Sequence, residues 1–438
     1  MTIHQPLTRP YPITAEKNRL SLLMVLFTLF IFTVPLFWLI RGNDPNEWSL
    51  LEARKFEQFQ FTALGIKTAF AELKTGDPQP AADLFTALLI DRAFQTQTEK
   101  AASDQFPLRS HAIKTSKALD RLTIKTAYLP LPDPYLSADT RSNIFVSPDQ
   151  QALFYGPDKL DQWTRMMVDL RLANYRELLT SHPQLNFYVY TIERLQNLPF
   201  HPLVANFPTA EAGQYYDTFS QNKPAGLHLG TLHMASLADY FRYFYRTDHH
   251  LNNLGAYTAY LDIYHLLQAK YPAISPPRQV TQELTLPDIA YRGSLARLSL
   301  YPIPGEPFKV YLYDLPPFQT YKDGQLFTYG KQDHYLAGNN STAPYLNHYG
   351  EYYGYDEGFL EFVFEAQPDR NLLVVGDSYD NAFLTLLASH YHHTYSVDLR
   401  NYPDFSLSTF LKDHPVQDVL VVGSNVAAYT SIDWSIQP

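Results

Sequence analysis

An α/β fold with a parallel sheet, preceded by one transmembrane helix, is what this 438-residue sequence predicts. The first observation is an alternation of short apolar runs and helical patterns between residues 372 and 422. Leu372–Val375, Thr394–Leu399 and Val419–Val422 read as strands, Asn381–Tyr391 and Ser406–His414 as helices. That β-α-β-α-β order predicts parallel strands joined by right-handed crossovers. The second observation is Leu20–Ile40, which contains no charged side chain.

Taken from the N-terminus, that uncharged stretch comes first. At about 1.5 Å per residue it crosses a roughly 30 Å hydrocarbon core, with Trp38 near one interface. A cleaved signal would have an apolar region of only about 7–15 residues and a small-residue cleavage site. Arg41-Gly42-Asn43-Asp44 offers no such site, so an uncleaved anchor is expected. Arg9, Lys17 and Arg19 outweigh Glu16 before the span, which places the N-terminus in the cytoplasm and residues 41–438 outside. A single-pass protein of the cell membrane follows, with residues 1–19 as its cytoplasmic tail.

Residues 41–120 read as a mainly helical stalk or cap, with Phe56, Phe59, Leu64 and Phe70 among its apolar positions and a break at Gly76–Pro80. The domain that carries chemistry is expected over 121–438. Within it Asn186–Thr191 reads as a strand, and Ala235–Tyr245 and Leu254–Leu267 as helices. A proline-rich, strand-rich insertion occupies about 275–345 and includes the alternating run Phe308–Tyr313.

Composition narrows the function. The chain has no cysteine, so disulfides and thiolate metal sites are excluded. A net charge of −10 argues against nucleic acid as partner. The 33 tyrosines and 28 phenylalanines, set against only 18% charged residues, suit sugar rings or serve an ordinary surface poor in charge.

Ligand sites in a parallel sheet lie beyond the C-terminal strand ends. Gly376-Asp377-Ser378, Asp398-Leu399-Arg400 and Gly423-Ser424-Asn425 all fall there. Ser378, on a strand-to-helix turn, is placed to act as a nucleophile, with its own amide available to an oxyanion. Thr247-Asp248-His249-His250 supplies an imidazole and a carboxylate to orient it. Spacing alone leaves His249 and His250 both open as the base. Asn425 is a candidate oxyanion donor and Asn339 a second candidate amide, while Arg400 is a candidate substrate contact. His390, His392 and His393 sit near a helix end with no accompanying carboxylate pattern, and no metal is expected.

These segments resemble the DHHW family of SGNH-type proteins, which is related to the alginate O-acetyltransferases. The matching elements are Ser103-Asp104-Gln105-Phe106-Pro107-Leu108-Arg109, Thr247–His250, Leu254-Gly255-Ala256-Tyr257, Gly376-Asp377-Ser378 and Asp398–Tyr402. Leu251 stands where the family name has tryptophan. The resemblance implies a three-layer sandwich like an SGNH hydrolase, circularly permuted because the Asp-His pair precedes the serine. It implies Ser378 as nucleophile, His250 as base, Asp248 behind it, and Asn425 with the Ser378 amide at the oxyanion. No cofactor is implied. The partners implied are a cell-surface polysaccharide and a multipass membrane-bound O-acyltransferase that supplies the acyl group. Serine O-acyl transfer, most simply O-acetyl transfer, is the expected activity. A carbohydrate esterase would use the same groups, and a non-catalytic glycan-binding protein could retain the fold alone.

Overall fold

The computed structural model describes Trp48–Ser49, Arg54–Lys55, Lys100, Asp104, Arg109–Tyr128 and Leu136–Asp139, then 141–436 apart from 159–160, 205–214 and 425–435. The expected span 20–40, most of the stretch read as stalk, and Asn425 lie outside the described residues. Among the described residues no helix is long and apolar enough to cross a membrane. The chain divides into two compact units, Met1–Ser116 and Lys117–Pro438. In the first, β1 (Trp48–Ser49) pairs antiparallel with β2 (Arg54–Lys55), inside a stretch whose sequence reads mainly as helix. In the same unit Arg109 forms an ion pair with Asp104 at 3.8 Å.

The second unit begins its strands with β3 (Leu136–Asp139), β4 (Ile144–Val146) and β5 (Leu153–Tyr155), an antiparallel sheet of three. Its apolar side, Ala138, Ile144, Val146 and Leu153, packs on Leu295, Ala296 and Ile303. The large sheet is built from β6 (Asn186–Ile192), β7 (Leu227–Thr231), β10 (Gln319–Lys322), β11 (Gln325–Phe327), β12 (Phe359–Val363), β13 (Asn371–Gly376), β14 (His393–Val397) and β15 (Asp418–Ser424), in the order β11-β10-β12-β14-β13-β15-β6-β7. A separate antiparallel ribbon joins β8 (Val280–Tyr291) to β9 (Glu306–Tyr313).

β13, β14 and β15 are parallel, as the alternation predicts, and β6 and β7 continue the parallel run. The sheet as a whole is not. β12, β10 and β11 extend it antiparallel, and only β10 and β11 are joined by a tight turn. Asp323 and Gly324 both take positive φ between β10 and β11, the geometry of a tight primed hairpin turn.

Alternate residues of the central strands feed two cores. Leu372, Val374, Tyr188, Tyr190, Leu420 and Val422 face one, which the helix Asn253–Gln268 fills with Ala256, Ala259, Tyr260, Ile263 and Leu267. Leu373, Val375, Phe187, Val189, Val419 and Val421 face the other, against Val168, Leu172, Tyr175 and Leu178 of the helix Gln162–Ser181. Spacings of three and four give each helix one apolar stripe, so helices cover the sheet on both sides. Asn252 and Asp161 cap the two helices by accepting from Gly255 N–H and Thr164 N–H.

Register is fixed at the strand starts. Asp418, fully buried, receives two bonds from Arg370 at 2.8 and 2.9 Å, one from Asn186 Nδ2 at 2.9 Å and one from Tyr391 OH at 3.0 Å. One carboxylate thereby ties β15 to β6 and to the residue preceding β13.

Candidate active site

Ser378 stands just past the end of β13, on a turn and half-buried. The helix expected from Asn381 begins only at Leu384 and spans Leu384–Ala388. Residues 378–383 are turn, so no helix N-terminus backs the serine directly. The turn is held instead by Asp377, whose carboxylate accepts from Tyr379 N–H at 3.1 Å and from Ser424 N–H and Oγ at 3.1 and 3.2 Å. This couples the Ser378 turn to the end of β15. Gly376 is required there, since any Cβ would strike Asp380. Burial, then the charges of Asp377, Asp356 and Asp398, push the Asp380 carboxyl well above its ordinary value.

The second half comes from the loop between the helices Leu237–Tyr243 and Asn253–Gln268. Glu306 grips this loop, accepting from Arg246 N–H at 3.0 Å, Thr247 N–H at 2.8 Å and Thr247 Oγ1 at 2.7 Å. Leu251, at the position where the family name has tryptophan, is fully buried and bridges to Phe244. The substitution thus falls in the core.

Across the fold, His250 Nε2 lies 2.8 Å from Ser378 Oγ, although the two residues are 128 apart in sequence. His250 Nδ1 lies 3.0 Å from Asp248 Oδ1. A carboxylate only accepts, so Nδ1 carries the proton and Nε2 is free to accept from the serine hydroxyl. Of the two histidines, it is therefore His250 that contacts the serine. His249 Nδ1 faces Ser294 Oγ at 2.6 Å, and burial, with the neighbouring His250, lowers its imidazole to about 4.

Asp248 is 2% exposed and collects four donors. Oδ1 accepts from His250, from His249 N–H at 2.6 Å and from Ser294 Oγ at 2.7 Å, while Oδ2 accepts from Tyr291 OH. Burial alone would raise this carboxyl. The imidazolium of His250, when it forms, and the bonds from both histidines overcome it and hold Asp248 well below the usual carboxylate range. Gly293 leaves the room this needs, because a Cβ there would collide with Asp248.

An aromatic wall completes the site. Tyr349 stacks on the His250 ring and donates from its hydroxyl to the Ser378 carbonyl at 2.8 Å. Tyr379 packs against both histidines, with ring centroids 5.5 and 5.7 Å away. Tyr291, Gly293, Ser294, Glu306 and Tyr349 carry no motif in the sequence, and only their place in or beside the expected insertion hinted at a role.

Arg400 is bonded to Asp398 and, at 2.7 Å, to Asp356. Asn339 is exposed, its N–H donating to the His334 carbonyl at 3.1 Å. His390 is buried between Tyr260 OH and Ser275 Oγ, each at 2.8 Å. His392 and His393 meet Glu365 and Glu361 rather than one another's ligand sphere. Asp248, His249 and His250 have donor atoms within 4.8 Å of one another, the separation a metal needs. Those atoms are the ones already engaged in the bonds described above.

Solved structures with this architecture exist. A DHHW family protein from Eubacterium siraeum aligns with a TM-score of 0.50 at 16% identity, over 67% of this chain and 94% of its own. The fold is shared with a DHHW family protein. Bacillus cereus PatB1, in a structure with a sulfonyl adduct, aligns with a TM-score of 0.53 at 17% identity, over 68% of this chain and 100% of that one. A second PatB1 structure gives 0.50 and 18%, over 65% and 96%. No protein-family model matches the chain, and no curated protein sequence does. The resemblance read from short motifs and the likeness in fold lead to the same group of proteins.

Proposed function

We propose that this chain is an SGNH-type serine O-acyltransferase, circularly permuted, that moves an acetyl group onto a glycan outside the cell while residues 20–40 anchor it in the membrane. The observation that carries the reading is the continuous line of hydrogen bonds from Ser378 through His250 to Asp248. A buried carboxylate, a tautomer fixed by it and a hydroxyl at 2.8 Å are the parts that nucleophilic acyl chemistry requires.

In this mechanism His250 Nε2 takes the Ser378 proton as Oγ attacks the donor carbonyl. Asp248 stabilises the imidazolium, and the Ser378 amide holds the oxyanion, with Asn425 as its proposed second donor. Collapse expels the donor's leaving oxygen, which takes the proton from His250. A sugar hydroxyl then gives its proton to His250 and attacks the acyl-serine; the bond between the acyl carbon and Oγ breaks, Ser378 Oγ takes the proton back from His250, and the sugar leaves as the ester. Water in place of the sugar makes the same machinery an esterase. A multipass acyl exporter is the proposed source of the donor.

The test is acetyl release from p-nitrophenyl acetate with and without oligosaccharide, with Ser378→Ala alongside. Serine-dependent gain of acetyl mass by the sugar supports transfer. Release to water alone makes the protein an esterase, and equal rates for wild type and Ser378→Ala end the catalytic reading. PatB1 carrying a sulfonyl adduct also recommends a sulfonyl fluoride as a direct label for Ser378.

A further inference from the structure

A cleft of about 830 Å³ opens beside the segment that follows Ser378, and the helix His348–Tyr353, which carries Tyr349, contributes its last two residues to the lining. This is within the roughly 300–1,000 Å³ of ordinary ligand sites. Asn381, Ala382 and Thr385, which follow Ser378 in the chain, line one wall, and Tyr352 and Tyr353 another. The opposite wall is built by the insertion, through Tyr313, Phe318, Phe327 and Tyr329. Those four rings are half-buried or exposed; Phe318 is stacked on Phe364, Tyr313 on Tyr257, and Lys322 Nζ lies 5.6 Å from the Phe327 ring centre, which leaves these three their opposite faces, while Gln319, Gln332 and Asp333 stand exposed at the rim. Tyr329 is fixed by donating to Asn381 Oδ1 at 2.8 Å.

We propose that this cleft binds the acceptor of the proposed reaction, and that the acceptor is an uncharged oligosaccharide chain. The assignment rests on the acyl-transfer reading for its purpose, but its chemistry comes from the cleft. Ring faces offer stacking to the C–H face of a sugar, while amides at the rim meet its hydroxyls. Charge decides between sugars. Lys331 is the one lysine or arginine in the lining, and it is already ion-paired with Glu351. A polyuronate or phosphate-rich chain would meet Asp333 with no free ammonium or guanidinium to receive it.

The test uses the full chain carrying Ser378→Ala, so that binding is read without turnover. Chitohexaose, cellohexaose and hexamannuronate are titrated by calorimetry. A neutral hexasaccharide is expected to bind, hexamannuronate at least about tenfold more weakly, and Phe327→Ala to weaken the neutral sugar by about tenfold. Should Phe327→Ala fail to fold, Gln332→Ala at an exposed rim position carries the same expectation. Unchanged affinity in a folded variant, preference for the uronate, or no binding of either neutral sugar overturns the assignment. Failure of the acyl-transfer reading looks different: p-nitrophenyl acetate turnover in the wild type becomes independent of Ser378 while sugar binding persists.

Discussion

The imidazole of His250 lies flat on the ring of Tyr349, with centroids 4.1 Å apart and planes 11° from parallel. Because the same tyrosine bonds the Ser378 carbonyl, one side chain sets both partners of the 2.8 Å contact. Tyr349→Phe keeps the stack and should lower ester turnover only severalfold. Tyr349→Ala frees the imidazole, and a misplacement of this kind costs about 10²-fold in kcat. If the two variants have equal rates, the stack does not position the base.

Asp248→Asn tests the other side of the ring. An amide can present N–H where His250 needs an acceptor, turning the imidazole to the wrong tautomer. A fall of about 10⁴-fold in turnover is expected, with sulfonyl labelling of Ser378 slowed in parallel. Labelling at the wild-type rate would show that His250 activates the serine without help from Asp248.

The outer donors to Asp248 should also be measurable. Tyr291→Phe and Ser294→Ala each remove one bond to a buried charge, a loss of about 1–3 kcal/mol in stability. Both donors serve one carboxylate, so the double variant should not be the sum of the singles. Strict additivity in chemical denaturation would mean that the two bonds act independently.

Acid should destabilise the fold through its buried imidazoles. Burial, reinforced by a neighbouring charge at the first and last, lowers His249 and His348 to about 4 and His390 to about 3, from 6.5 in an open chain. Between those values the unfolded chain binds protons that the folded chain refuses. Stability from these groups is therefore whole above about pH 6.5 and is lost as pH falls toward 4. Glu193, pushed by burial up to about 8, works in reverse and loses its contribution as pH rises from about 4.5 to 8. The urea midpoint should fall on the acid side, and His390→Gln should flatten that fall. A midpoint unchanged from pH ~7 to ~4.5 would contradict the burial of these rings.

At the opposite end of the sheet, Arg370→Ala leaves Asp418 buried without its cation. A loss of about 3–5 kcal/mol is expected, partly recovered when Asp418→Asn is added. No recovery would mean that Arg370 contributes through its packing on Tyr271 rather than its charge.

The parallel half of the fold was legible because β13 and β15 are short apolar runs and β14 lies between the two helical patterns that separate them. Ser378 was legible from its place after a buried strand, while the choice of His250 over His249 came only from the family resemblance, because spacing does not separate two adjacent imidazoles. The antiparallel edge was not, since β10 and β11 alternate too weakly to declare a direction. The helix after Ser378 was expected too early because Asn381–Phe383 satisfy an apolar helical spacing, whereas Asp377 and Asp380 draw the backbone into turns. Tyr291, Ser294 and Tyr349 were invisible for a different reason. A tyrosine that donates to a buried carboxylate has the same sequence signature as one that merely fills a core.

Among the described strands, the one synthesised last stands in the middle of the sheet. β15 separates β6 from β13, so residues 418–424 are the seam between the half nearest the histidine loop and the half that ends in Ser378. A ribosome delivers the imidazole first, the serine much later and the seam after both. A chain that stops before residue 418 carries Asp248, His250 and Ser378 but lacks the strand that stands between β6 and β13. The order of synthesis thus puts the strand that joins the two halves after the residues those halves carry.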